Sequence, residues 1–112
     1  ILITLFLLTS NFSNMTNATN INKPLSVEKE SIRALKFPDN EVLTSKDEIR
    51  IREASLERAL KLGNLEHNKI KIVFEDTEGL KQVETTVWGV TDKRVILKQG
   101  VLIPIHRIHE IK

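Results

Sequence analysis

The chain of 112 residues contains no cysteine, and this absence excludes several kinds of scaffold and site. Without thiols there are no disulfide frameworks, no thiolate metal sites and no cysteine nucleophiles. The absence leaves the compartment open, because small secreted proteins and small proteins of reducing compartments can both lack cysteine.

Aromatic residues make up only 4% of the chain, with one Trp and no Tyr. A stacking surface for single-stranded nucleic acid is therefore hard to build. The charge is also nearly balanced, because 17 Lys and Arg face 15 Asp and Glu for a net charge of +2. This balance is too even to predict binding to nucleic acid or to an anionic membrane from electrostatics alone.

Catalytic signatures are lacking as well, since the chain has no P-loop, nucleophile elbow or dinucleotide fingerprint. Asp76 and Glu78 are neighbours, but they lie in a predicted hairpin turn, where acidic residues favour the turn itself. His106 and His109 have a spacing that could bind a metal on a helix, but here they span a turn and a strand. We interpret them as surface or turn histidines, and the sequence predicts a protein that is not an enzyme and uses no cofactor or metal.

No hydrophobic run reaches the ~20 residues that a membrane helix needs, since the apolar stretch over residues 1–8 is far shorter. Its length suits the apolar core of a truncated secretory signal, which would make the protein secreted or envelope-bound. The alternative, which we favour, is that Met15 is the true start and that the protein is cytoplasmic. Residues 9–25 are rich in Asn, Thr and Ser. We therefore predict that residues 1–25 form a disordered tail or a mis-started or truncated signal-like segment.

A first, short helix is predicted over residues 27–36. Ser26 offers an N-cap, and Pro38 would end the helix because the residue before a proline is pushed out of the helical region. Residues 26–44 are therefore assigned to a short helix and a linker.

A second helix has a stronger start signal. Ser45 and Glu48 form a capping box ahead of residues 49–62, which have high helix propensity, and Gly63-Asn64 supplies a left-handed stop, so we predict a helix that starts after Ser45 and ends at Gly63. This helix and everything after it, residues 45–112, are assigned to a single domain.

Five short apolar stretches follow, separated by tight turn signals such as those between Asp76 and Gly79. Gly89 interrupts the second stretch and predicts a bulge or a sharp bend there. The pattern predicts a mostly β (α+β) fold, in which one or two helices precede a small five-stranded antiparallel barrel. The predicted strands are residues 69–74, 83–90, 94–98, 101–105 and 108–112.

The order of these strands resembles that of the Sm-like and SH3-like small barrels. Residues 103–111, Ile-Pro-Ile-His-Arg-Ile-His-Glu-Ile, are similar to the end of the Rho-binding antiterminator family, which is Sm-like. Residues 40–112 also resemble small uncharacterised proteins of Bacteroidetes, with Val-Glu-Thr-Thr-Val-Trp-Gly-Val-Thr at residues 83–91 as the shared phrase. The likeness implies a bacterial protein with a small barrel. It does not imply Rho binding, because the acidic, cysteine-containing front half of that family is missing here.

Basic residues on and beside the predicted strands form the candidate contact surface. On one side of a barrel they could bind RNA or another anionic partner, and the alternative is that they are solvated strand ends with protective lysines. These residues are Lys69, Lys71, Lys93, Arg94, Lys98 and Arg107.

Trp88, the single tryptophan, is the other candidate contact residue. An exposed Trp could anchor a protein partner, since aromatic residues dominate interface energetics. The alternative, slightly favoured, is that it packs in the core beneath the helix.

The sequence therefore predicts a non-catalytic binding module built on a small barrel. It could bind RNA or regulate a complex that acts on RNA. The alternative is a protein-interaction or assembly module that uses the Trp88 face or open sheet edges. A homo-oligomer is plausible, because the edges of Sm-like barrels commonly close into rings.

Overall fold

The computed structural model describes residues 23–112, which form an α+β fold with one α-helix and two β-sheets. The predicted signal-like segment and the candidate start at Met15 lie outside the described residues. The strands are β1 (Leu25–Ser26), β2 (Ile70–Glu75), β3 (Leu80–Thr85), β4 (Val87–Val90), β5 (Arg94–Leu97), β6 (Leu102–Pro104) and β7 (Ile108–Ile111), and the helix is α1 (Lys46–Glu66). Short 3₁₀ turns occupy Lys29–Ala34, Lys98–Gly100 and Ile105–Arg107.

The strands form two sheets. The first has the order β1-β3-β2-β7 and the second the order β4-β5-β6. All neighbours are antiparallel except the unpredicted β1, which runs parallel to β3. Within residues 23–112 the two sheets do not join into a closed hydrogen-bonded barrel.

The long second strand of the prediction is two strands that break at Thr86. β3 belongs to the first sheet and β4 to the second, so this short break passes the chain between sheets. The prediction placed the bend at Gly89. The register shift between Val87 and Gly89 confirms an irregularity there, but the change of sheet comes three residues earlier. Gly89 instead lies under the side chain of Ile96 on the neighbouring strand.

Helix α1 begins as predicted and ends later than predicted. The hydroxyl of Ser45 accepts a hydrogen bond from the Glu48 amide at 3.1 Å, which confirms Ser45 as the N-cap. The Glu48 carboxylate accepts from the Ser45 hydroxyl at 3.3 Å and not from the Ser45 amide, as the full capping box requires. The predicted stop at Gly63 is wrong, because the helix continues to Glu66 and its left-handed residue is His67, at φ 57°. Gly63 is instead needed where the helix packs closely against β4, since a Cβ there would overlap the carbonyl oxygen of Val87.

The segment before α1 wraps around both sheets and is here called the strap (residues 27–42). The predicted first helix is only the 3₁₀ turn Lys29–Ala34, which buries Ile32. Three backbone hydrogen bonds between the strap and the rest of the fold fix its course. Val27 donates to Gln82 at 2.9 Å, Thr77 donates to the Lys36 carbonyl at 2.9 Å, and Val42 donates to His106 at 3.0 Å.

The hydrophobic core lies between α1, the strap and the inner faces of both sheets. Alternation on β2 and β3 brings Ile70, Ile72, Phe74 and Val83 inward as the sequence predicts. The other buried apolar residues in this cluster are Ile32, Leu56, Ala59, Val87, Val95, Leu97, Val101, Ile103 and Ile108. In the part of the chain that the structure describes, no helix has the length and hydropathy to cross a membrane.

Candidate functional site: a groove beside strand β6

A groove of about 1280 Å³ opens between the strap, helix α1 and the exposed edge of β6. The β4–β5 turn closes one end. Its floor is apolar, because the core side chains of the strap and of α1 reach the surface there. The apolar lining residues are Ile32, Leu35, Phe37, Ile49, Leu56, Leu60, Val90, Val101, Leu102, Pro104 and Ile105.

The charged rim of the groove carries residues of both signs. Helix α1 contributes Glu53 and Glu57, which are one helical turn apart, and the β4–β5 hairpin contributes Asp92, Lys93 and Arg94. All five are exposed, and none of them makes an ion pair within residues 23–112. The α1 wall is therefore acidic, whereas the hairpin has two basic residues beside one acidic residue.

A buried ion pair fastens the strap to α1 at the base of the groove. Arg52 is 4% exposed and binds both carboxylate oxygens of Glu41, at 2.7 and 2.6 Å. It also donates to the carbonyl of Ile108 at 3.0 Å. The hydrogen bond from Arg52 holds the pKa of Glu41 below its usual range, although partial burial opposes this shift. This pair therefore fixes the distance between two walls of the groove.

The outer edge of β6 exposes backbone groups to the groove. Leu97 donates to the Val101 carbonyl at 2.7 Å, and Ile105 donates to the Lys93 carbonyl at 2.9 Å. These bonds flank the aligned pair of Val95 and Ile103, and backbone bonds alternate along an antiparallel ladder.

It follows that Val101, Ile103 and Ile105 direct their backbone groups toward β5, while Leu102 and Pro104 direct theirs away from it. No group within residues 23–112 forms a hydrogen bond with the outward amide of Leu102 or the outward carbonyls of Leu102 and Pro104.

Two other strands have partners on their outer sides. β1 pairs with the outer side of β3, and Val27 extends this cover by its bond to Gln82. Arg52 of α1 donates to the carbonyl of Ile108 on β7. On β6, by contrast, the outward groups of Leu102 and Pro104 have no partner within residues 23–112.

The predicted basic residues come from both sheets. Lys93 and Arg94 lie together on the groove rim, and Lys98 is exposed in the turn after β5. Lys69 and Lys71 are also exposed, but they precede and lie on β2, in the other sheet. The cluster predicted from sequence is thus divided between the two sheets.

Arg107 is not a contact residue, which corrects the sequence-based assignment. It is 3% exposed, and its guanidinium donates to the carbonyls of Glu75 and Asn40 at 3.1 and 2.8 Å. It also lies 3.7 Å from the Glu75 carboxylate. Arg107 therefore connects the start of β7, the end of β2 and the strap, and its charge is satisfied by groups inside the fold.

Trp88 is 53% exposed, so the slightly favoured core placement is wrong. It is the unpaired residue of the register shift on β4, where Val87 aligns with Leu97 and Gly89 with Ile96. Its side chain is exposed, whereas the preceding residue, Val87, is buried. Trp88 does not line the groove.

The two nearby histidines have separate structural partners. His106 lines the groove, and its Nε2 lies 3.0 Å from the carbonyl oxygen of Pro38 in the strap. The Nε2 of His109 lies 2.8 Å from a carboxylate oxygen of Glu75. Within residues 23–112 no three His, Asp or Glu side chains are grouped so as to hold a metal ion.

Sequence reasoning missed the groove because its walls come from segments far apart in the chain. One local signal was available: Arg52 follows Ile49 and precedes Leu56 at helical spacing, so it falls near the apolar face of α1. An arginine at such a position needs a buried acceptor, and Glu41 provides one.

Comparison of the chain with the models of known protein families, with curated proteins and with solved structures finds no match.

Proposed function

We propose that this protein is a non-catalytic binding module whose groove holds an apolar segment of a partner protein. The observation that carries the proposal is the groove itself, with its apolar floor and its rim of unpaired charges. Its volume of about 1280 Å³ exceeds the ~300–1,000 Å³ common for small-molecule sites, and its open form favours a chain segment over a compact ligand.

The polar groups inside the groove support binding over catalysis. The carboxylate of Glu41 is held by Arg52, which lowers its pKa and keeps it ionised, and His106 contacts the Pro38 carbonyl. General acid–base catalysis favours a group whose pKa lies near the working pH and that can reach a substrate. Both groups are instead engaged in holding the strap.

We further propose that the scaffold is a small barrel of the Sm-like or SH3-like type. Three features support this proposal: the order of strands β2 to β7, the passage of the chain from one sheet to the other at Thr86, and the 3₁₀ turn between β6 and β7. Such scaffolds host many functions, so the groove and not the fold carries the functional argument.

The test is selection from a displayed library of random 16-residue peptides on immobilised protein. We expect recovered peptides to be apolar with charged flanks. Leu102→Glu, which places a charge at an apolar lining residue that is 45% exposed, should weaken their binding at least about tenfold. The matched control is Leu65→Glu on the outer side of α1, which is 79% exposed, does not line the groove and should bind normally.

Failure to recover any peptide, or equal binding by the two variants, would contradict this function. The second candidate, RNA binding, is favoured by the exposure of Lys93, Arg94 and Lys98 around one hairpin. In that case total cellular RNA should bind at low salt, dissociate at high salt and bind less to variants with alanine at these three positions.

A further inference from the structure

We propose that the partner segment binds as an extended strand that adds to the open edge of β6. This inference rests on the proposed function of the groove and specifies how the groove is used. Addition of a strand satisfies backbone groups that the described chain leaves unpaired, and side-chain contacts with the groove floor then give specificity.

The backbone geometry of β6 provides the first argument. The amide and the carbonyl of Leu102 both face the groove, so one residue of an antiparallel segment can exchange two hydrogen bonds with Leu102. The carbonyl of Pro104 offers a third acceptor. A helix in the groove would leave all three groups without a peptide partner, because its own backbone groups are paired internally.

The edge of β6 is short and contains a proline, and both features limit which segments can pair with it. Pro104 has no amide to donate, so the ladder cannot extend beyond it with a full set of bonds. Edge prolines and short edge strands are common protections against unselective strand pairing. Recognition by β6 therefore requires side-chain contacts on both sides of the added strand.

The charged walls specify the chemistry of the segment. It meets Glu53 and Glu57 on α1, and it meets Lys93 and Arg94 beside the single acidic residue Asp92 on the β4–β5 hairpin, which therefore stays basic in balance. The segment that complements this groove has apolar residues toward the floor, basic side chains toward α1 and acidic side chains toward the turn. We infer an extended segment of mixed charge, in contrast to a uniformly basic or acidic tail.

The decisive variant is Leu102→Pro, measured with the strongest peptide recovered from the library. Proline removes the outward amide of Leu102 but leaves the bonds of Val101, Ile103 and Ile105 to β5 intact. The preceding residue, Val101, has φ −74° and ψ 136°, which is the conformation that a following proline requires. Proline also fixes the φ of residue 102 near −65°, so circular dichroism and urea denaturation of the variant check that the fold is retained.

We expect Leu102→Pro to weaken peptide binding at least about tenfold. The matched control is Leu102→Ala, which shortens the side chain and keeps the amide, and it should lose clearly less affinity than the proline variant. A second readout is hydrogen exchange of the Leu102 amide, which should be fast in the free protein and slow with peptide bound. The Ile103 amide, which faces β5, should be protected in both states.

The outcomes separate the two proposals. If a peptide binds the groove but Leu102→Pro and Leu102→Ala bind equally and the Leu102 amide stays unprotected, strand addition is wrong and the groove function stands. If the library yields no groove-binding peptide, both proposals fail. Strand addition would also be wrong if circular dichroism of the complex showed that the bound peptide is helical.

Discussion

The close approach of α1 to β4 makes Gly63→Ala the most informative single change in this fold. Gly63 lies inside the helix and has a helical neighbour on each side. Helix propensity alone predicts that alanine stabilises such a position by about 1 kcal/mol. The packing of α1 against β4 predicts instead that Gly63→Ala lowers the stability of the fold.

The opposing effect comes from the backbone of the neighbouring sheet. A Cβ on Gly63 would overlap the carbonyl oxygen of Val87 and would lie 3.1 Å from Cγ2 of Thr86. A carbonyl oxygen in a strand cannot turn aside as a side chain can, so α1 must move outward. Overpacking of this kind costs about 1–3 kcal/mol, and a clash with backbone belongs in the upper part of that range. After the propensity gain, we expect a net loss of about 1–2 kcal/mol.

Urea denaturation followed by circular dichroism measures this difference directly, with unchanged slopes as a check that unfolding remains two-state. The matched control is Asn64→Ala, the next residue in the same helix, which is exposed. It gains helix propensity without meeting β4 and should become more stable by up to ~0.7 kcal/mol. A Gly63→Ala protein as stable as Asn64→Ala would refute the close-packing argument.

Two further predictions concern ion pairs that fix the strap and the first hairpin. The pKa of Glu41 is lowered from its ordinary value of 4.5, chiefly by the hydrogen bond from Arg52. The ionised carboxylate therefore stabilises the fold above pH 4.5, and this stabilisation is lost as the pH falls through the lowered pKa of the folded state. Urea midpoints should therefore drop less between pH 6 and pH 3 in Glu41→Gln than in the wild type, and parallel pH profiles would contradict this. Lys81 lies 2.7 Å from the buried carboxylate of Asp76, so Lys81→Met should cost about 3 kcal/mol. Adding Asp76→Asn should recover part of that loss, and no recovery would contradict the pair's role.

Local rules in the sequence predicted the elements whose causes are local. The Ser45 N-cap starts α1, and the Asp76 to Gly79 turn closes the β2–β3 hairpin through the Asp76 carboxylate, which accepts from the amides of Glu78 and Gly79. In each case the decisive contacts lie within a few residues of one another.

Residues whose partners are distant in the chain were predicted poorly. Arg107 was assigned to the surface because it is a basic residue. The carbonyls that accept its hydrogen bonds, on Asn40 and Glu75, are 67 and 32 residues away in the chain. Arg52 similarly depends on Glu41, across the junction of strap and helix. A sequence shows that a basic residue is present, but whether carbonyls and carboxylates surround that residue depends on the packing of the whole chain. Lys93 and Arg94, by contrast, make no ion pair with an acid of residues 23–112.

The strap explains why an open edge strand can persist in this fold. An exposed edge invites unselective pairing with other chains. Here the strap, α1 and β6 line one groove, and the bidentate contact between Arg52 and Glu41 holds the strap to α1, so the edge lies at the side of a groove. In the proposed binding mode, a single extended segment enters this groove more readily than a broad sheet edge from another molecule. The same contacts that hold the strap in place would then make pairing with β6 selective.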